Sequence, residues 1–163
     1  MGVGKSTVAK EVAMYLKCPF IDLDAFIEYK EGKTISSIFE MEGEAKFRDL
    51  EYSQIQDILK KEDQVIALGG GSLSHHNLHQ RIRKSALLIY LEADSPFLFE
   101  RLNSDKEHRP LISHMENTDL KLFIDEQLFE RESQYLNAQL RVNVQNKSTG
   151  EIVSLILEYL EMI

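Results

Sequence analysis

Cysteine is nearly absent from this chain. Cys18 is the single one among 163 residues, so no disulfide forms within it and a reducing compartment is the expected setting. No apolar run approaches the roughly 18 residues of a spanning helix. No signal-peptide pattern opens the chain, so no membrane partner is expected and the cytoplasm is the expected location. Positive charge is in short supply too: 19 lysines and arginines stand against 27 acids, a formal net charge of −8. A nucleic-acid binder needs a basic face to meet phosphate backbones, so nucleic acid is not expected as a general partner. ATP is compatible with this balance, because a divalent ion, a lysine and backbone N–H groups meet its charge locally. Repeats, low-complexity tracts and linkers are lacking as well. A chain of this length suits one domain, 1–163, with enough residues for a real core.

Short apolar runs read as strands at Pro19–Asp22, Val65–Leu68, Leu87–Leu91 and Leu140–Val144. Helical patterns separate them. Val8, Val12, Tyr15 and Leu16 form one stripe, and Ile152, Leu155, Ile156, Tyr159 and Leu160 form another near the C-terminus. Thr149 is placed to cap that last helix, with Gly150 and Glu151 in its first turn. Strands alternating with helices predict an α/β fold, a parallel sheet covered by helices on both faces. Residues 32–62 depart from the alternation, carrying two or more helices with no strand between. Residues 104–117 are polar and proline-marked and read as a mobile loop.

Two stretches carry phosphate chemistry. The chain opens Met1-Gly2-Val3-Gly4-Lys5-Ser6-Thr7, and Gly4-Lys5-Ser6 is the end of a P-loop. Glycines let backbone N–H groups approach phosphates, and the following helix adds its positive end. Lys5 reaches the β- and γ-phosphates in such a loop, and the Ser6 hydroxyl holds Mg²⁺. A flexible glycine-rich start before a helix is the plainer alternative. Phe20-Ile21-Asp22-Leu23-Asp24 ends the first visible strand. Ligands of open α/β sheets sit beyond the carboxyl ends of strands, so the two aspartates can divide metal and hydroxyl binding. On the residues alone a helix cap is the better explanation, because such caps are so common.

Five features in order carry a resemblance: Asp22-Leu23-Asp24, the run from Gly43 to Glu51 reading G-E-A-K-F-R-D-L-E, Gly69-Gly70-Gly71 after a strand, Arg109-Pro110-Leu111 in the polar loop, and Arg131 four residues before Tyr135. Together they resemble shikimate kinases over nearly the whole chain. The resemblance implies a three-layer P-loop kinase, a monomer, that phosphorylates shikimate with ATP to 3-phosphoshikimate on the aromatic amino-acid route. Lys5, Asp24 and Arg109 are then catalytic. Asp24 binds substrate hydroxyls and acts as, or is oriented like, a base. Asp22 and Ser6 hold Mg²⁺. Arg48 and Arg131 grip the substrate carboxylate, with Gly69, Gly70 and Gly71 meeting the substrate by backbone N–H. The helical region 32–62 binds substrate, and 104–117 is a lid bringing Arg109 to the transferring phosphoryl. Gly2, Val3, Gly4, Lys5, Ser6 and Thr7 cradle ATP, and Arg101, Asn146 and Lys147 border the adenine. Arginine's planar fork matches a carboxylate with two parallel bonds, which gives the clamp its physical reason.

Plainer readings stand beside these. Arg48 lies between Glu44 and Glu51 in helical ion-pair spacing, and Arg131 lies between Glu130 and Glu132. Phe39 and Phe47 read as core, with walls of the substrate pocket as the alternative. His75, His76 and His79 have helical spacing but no completing ligand, so they read as a solvated helix start. His108 and His114 read as lid residues. Asn146 and Lys147 stand where the family often shows arginine. The full P-loop also needs a glycine two residues before Met1 and a strand before that. In the resembled family that strand is central, between Val65–Leu68 and Leu87–Leu91. Met1 is therefore expected not to be the natural start, and the fold is expected to show either an empty slot or those strands drawn together. Reduced stability and weak activity follow from that expectation. An inactive nucleotide-binding remnant and a kinase for another hydroxylated acid such as gluconate are the competing readings.

Overall fold

The computed structural model describes residues 2–75, 77–109 and 111–163, and of His108 only the backbone. Expectations that fall on Met1, His76, Pro110 and the His108 side chain lie outside the described residues.

Gly2 and Gly4 turn the chain at φ 78° and 94°, conformations that glycine adopts without steric cost. Helix α1 (Lys5–Leu16) starts there and buries Val8, Val12 and Ala13. The stripe is narrower than its sequence pattern: Tyr15 is 69% exposed, because the helix ends at a left-handed Lys17 before the next strand. Strand β1 (Phe20–Asp22) pairs in parallel with β2 (Val65–Ala67), Phe20 against Val65 and Asp22 against Ala67. That register brings the Asp22–Asp24 segment and the Gly69–Gly71 segment to the same sheet end.

Between these strands run α2 (Leu23–Glu31) and α3 (Ile35–Ile58). Asp22 caps α2 and Thr34 caps α3. Gly43, at φ 83° and ψ 166°, breaks α3 into two helical segments. After β2, a 3₁₀ turn (Ser72–Ser74) and short α4 (Leu78–Ile82) lead to β3 (Ile89–Glu92). Helix α5 (Ser95–Ser104), capped by Asp94, a 3₁₀ turn (Lys106–His108) and α6 (Asn117–Tyr135) follow. Strand β4 (Leu140–Asn143) pairs in parallel with β3, Ile89 against Leu140. Helix α7 (Thr149–Glu161) comes last.

Ser148, not Thr149, caps α7, and it forms a reciprocal capping box with Glu151. Ile152, Val153 and Ile156 are its buried residues, whereas Leu155 is 41% exposed. The expected face was therefore rotated slightly, since Val153 rather than Leu155 reaches the core.

Among the described residues the four strands do not form one sheet. They form two parallel pairs, β1–β2 and β3–β4. An apolar cavity of about 310 Å³ lies between β2 and β3, with Val8, Ala67, Leu68, Leu88, Leu91 and Ile156 in its wall. This is the slot expected between those strands. The core is divided accordingly. One cluster joins α1, β3, β4, α5, α6 and α7 around Leu102, Leu120 and Val153, and the other joins α2, α3 and α4 around Leu23, Ile27 and Ile55.

Candidate active site

The N-terminus of α1 has the features of an anion site. Its cap, Gly4, supplies no side-chain bond to the first N–H groups, and no acid stands in the first turn. Burial pulls the Lys5 ammonium below the ordinary lysine value of 10.5, while Asp24 and Asp22 push it back up and Arg131 and Arg109 lower it further. These five groups therefore share one electrostatic field. Arg101 rests against the phosphate loop, its Nη1 3.5 Å from the Val3 carbonyl and its guanidinium 5.5 Å from the Phe97 ring centre. A Cβ on Gly4 would sit 3.7 Å from the same Nη1. Asn146 and Lys147 lie in an exposed turn after β4, with Asn146 at φ 57°. Among the described residues, no hydrogen bond or ion pair ties that turn to the phosphate loop.

Ser6 Oγ donates to Asp22 Oδ2 at 2.6 Å. Asp22 Oδ1 also accepts from the Ala25 N–H at 3.4 Å. The helix-cap reading of this aspartate thus holds, and the same side chain bonds a residue of the phosphate loop. A hydroxyl and a carboxylate side by side are hard oxygen donors, which fit a divalent ion that keeps water and phosphate oxygens as its other ligands. Among the described residues, no cluster of three or more His, Cys, Asp and Glu side chains could hold a metal by itself.

Asp24 lies deeper. Burial raises its carboxyl above the usual 3.8, Asp22 and Glu51 raise it further, and Lys5 and Arg48 oppose them. The glycines after β2 are needed because side chains crowd them. A Cβ on Gly69 would lie 2.9 Å from Asp24 Oδ1, from Glu51 Oε1 and from Ser72 Oγ. A Cβ on Gly71 would lie 2.6 Å from Arg48 Nη2. Ordinary Cβ contacts do not reach these distances, so the triplet marks close approach to the aspartate and the arginine.

Arg48 is held by two acids on its own helix. Nη1 donates to Glu51 Oε2 at 2.5 Å, and Nη2 donates to Glu44 Oε1 at 2.9 Å. The surface-pair reading fails on burial: the Arg48 side chain is 15% exposed and that of Glu51 is 2% exposed. Ser72 Oγ donates to the other Glu51 oxygen at 2.5 Å, so the buried carboxylate has partners on both sides. Phe47 is buried and packs on Phe39 with ring centres 4.9 Å apart, and the Arg48 guanidinium lies 5.2 Å from the Phe47 ring centre. Phe47 is core, as its plainer reading had it, and Phe39 is half-buried against that core. Arg48, Gly71, His75, Glu130 and Arg131 line one cavity of about 440 Å³. The surface-pair reading of Arg131 fails as well: this arginine is half-buried, donates to Gln127 and faces that cavity. His75 is half-buried there rather than solvated. Its place follows from the turn after the glycines, which the histidine spacing did not reveal. Glu51, Ser72 and Glu130 were also unassigned by the motifs, although Glu51 ends one of them.

The 104–117 stretch is less open than its polarity implies. Ile112 is fully buried, and Lys106 Nζ donates to the Met115 carbonyl at 2.6 Å. Arg109 pairs with Asp105 at 2.9 Å. The apolar anchor Ile112, hidden among charges in the sequence, explains the difference.

The family model for shikimate kinase matches residues 1–161. The chain belongs to the shikimate kinase family. A shikimate kinase of Flavobacterium johnsoniae is 38% identical over 162 residues, covering 98% of this chain and 94% of that one. The crystal structure of shikimate kinase from Bacteroides thetaiotaomicron superposes with a TM-score of 0.93 at 33% identity, covering 99% of this chain and 94% of the other. The Acinetobacter baumannii shikimate kinase, solved in complex with shikimate, gives a TM-score of 0.88 at 29% identity, with 99% and 89% covered. The fold is accordingly that of the P-loop kinases. Agreement over nearly the whole chain does not favour the reading as an inactive remnant.

Proposed function

We propose that this chain transfers the γ-phosphoryl group of ATP to a hydroxyl of shikimate, giving 3-phosphoshikimate for aromatic amino-acid synthesis. One observation carries the choice of acceptor: Arg48 and Arg131 line the same cavity, beside Gly71. Two guanidinium groups in one pocket suit a carboxylate, and the field shared by Arg48, Asp24 and Lys5 joins that pocket to the phosphate loop.

The chemistry divides among the residues as follows. The free N–H groups of α1 and the Lys5 ammonium hold the β- and γ-phosphates. Arg48 and Arg131 bind the acceptor carboxylate and so fix the ring. Asp24 accepts the hydrogen bond of the attacking hydroxyl and takes up its proton. The raised pKa of this carboxyl suits that work, since a base is most effective when its pKa approaches the working pH. The hydroxyl oxygen forms its bond to the γ-phosphorus as the bond to the bridging oxygen of ADP breaks. Lys5 and Arg109 offset the charge on the transferring group. Ser6 and Asp22 would hold Mg²⁺, which supplies further charge neutralisation when bound. The 104–117 segment shields the site from water when it closes.

The test is the initial rate of ATP consumption with shikimate, with gluconate and with no acceptor. Shikimate alone is expected to raise the rate. Turnover of gluconate in preference to shikimate would overturn the assignment of the acceptor.

A further inference from the structure

The Tyr135 hydroxyl donates to the Gly70 carbonyl at 2.7 Å, across 65 residues of sequence. Its ring lies against that of Tyr90, with centres 4.7 Å apart and planes 25° from parallel. Burial raises the Tyr135 phenol above its usual range, while interaction with the Arg131 guanidinium at the same hydroxyl lowers it. The hydroxyl therefore remains a protonated donor at neutral pH. One side chain thus touches two parts of the acceptor cavity: the glycine loop after β2, and Arg131 one turn earlier on α6.

The carbonyl of Gly70 and the N–H of Gly71 belong to one planar trans peptide unit, so they point in opposite directions. A peptide between two glycines meets little steric resistance to rotation, and the loop needs an outside group to choose one orientation. We propose that Tyr135 is a positioning residue for the acceptor: by holding the Gly70 carbonyl it fixes the Gly71 N–H and ties the glycine loop to the helix that carries Arg131. This deepens the proposed function and rests on that reading. Tyr90 supports the latch by fixing the ring plane, and α6 carries both partners, so movement of the helix moves loop and arginine together.

Tyr135→Phe tests this, because it removes the hydroxyl and keeps the ring against Tyr90. Losing one neutral hydrogen bond at the acceptor site is expected to raise the KM for shikimate about threefold to tenfold and to leave the KM for ATP unchanged. In the protein without substrate, the Gly70 and Gly71 amide resonances should shift and the Gly71 amide should exchange faster, whereas amides in the Gly2–Thr7 loop should not. An unchanged shikimate KM, or equal rises in both KM values with a broad loss of stability, would overturn the positioning role. The amide measurement needs no turnover. Wild-type protein with no shikimate-dependent activity would count against the acceptor assignment, and unchanged Gly70 and Gly71 resonances in the variant would count against the latch.

Discussion

Arg48 and Gly71 approach so closely that a methyl group on Gly71 would lie 2.6 Å from the arginine's Nη2. The glycine is thus the space in which the guanidinium sits. Gly71→Ala should push Arg48 out of its place between Glu44 and Glu51. The expected outcome is a KM for shikimate raised tenfold or more with ATP affinity retained, measured by initial rates and by nucleotide titration. Normal shikimate kinetics in this variant would show that Arg48 does not bind the acceptor.

Asp24→Asn should abolish turnover, by about a hundredfold or more, while ATP still binds. It should also stabilise the protein at neutral pH. The carboxyl pKa is raised above 3.8, so the folded state binds its proton more tightly than the unfolded state. The stability this group contributes is full below 3.8 and is lost as pH rises through the raised value, leaving an ionised carboxylate that weakens the fold at pH 7. Thermal melting at neutral pH should therefore move upward in the variant. A lower melting temperature would mean that attraction to Lys5 and Arg48 outweighs burial.

Arg48→Ala and Arg131→Ala should each weaken shikimate binding about tenfold to a hundredfold, the range for one charge-assisted hydrogen bond. Their effects on stability should differ. Removing Arg48 leaves Glu51, 2% exposed, without its cation, whereas removing Arg131 takes a donor only from the neutral Gln127 carbonyl oxygen, and the Tyr135 hydroxyl keeps its bond to the Gly70 carbonyl. Calorimetric melting should fall more for Arg48→Ala. Equal melting temperatures would show that Ser72 suffices to hold the Glu51 carboxylate.

Residues 104–117 should become protected when both substrates bind. Arg109 must leave Asp105 to reach a transferring phosphoryl group, and the Lys106 bond to the Met115 carbonyl and buried Ile112 give the segment a fixed base to move on. Hydrogen exchange over this segment should slow with shikimate and an ATP analogue together. Unchanged exchange would leave the segment without a closing role.

The elements were legible where a pattern is local. The Gly4-Lys5-Ser6 turn, the four short strands and the paired aspartates stand in the structure at the places their sequence marks. The join between Asp22 and Ser6 was legible in principle, since both residue types bind metal, but their direct hydrogen bond depends on packing across 16 residues. Arg48 shows the limit of local pattern: its two glutamates have surface spacing, and only tertiary burial turns the same pair into a buried support. Ser72, His75 and Tyr135 take their roles from how α3, α6 and the glycine loop meet, and no spacing in the chain records that. The two strand pairs, with the cavity between β2 and β3, followed from topology rather than from any run of residues.

The central claim is best tested by product analysis on the wild-type chain. ATP, shikimate and Mg²⁺ are incubated with the protein, and phosphorus and proton NMR follow the products. The expected result is one ADP released for each shikimate converted to a single phosphate ester at its 3-hydroxyl, with negligible ADP formed when shikimate is left out. ADP release that does not depend on shikimate, or an ester at another hydroxyl, would contradict the account.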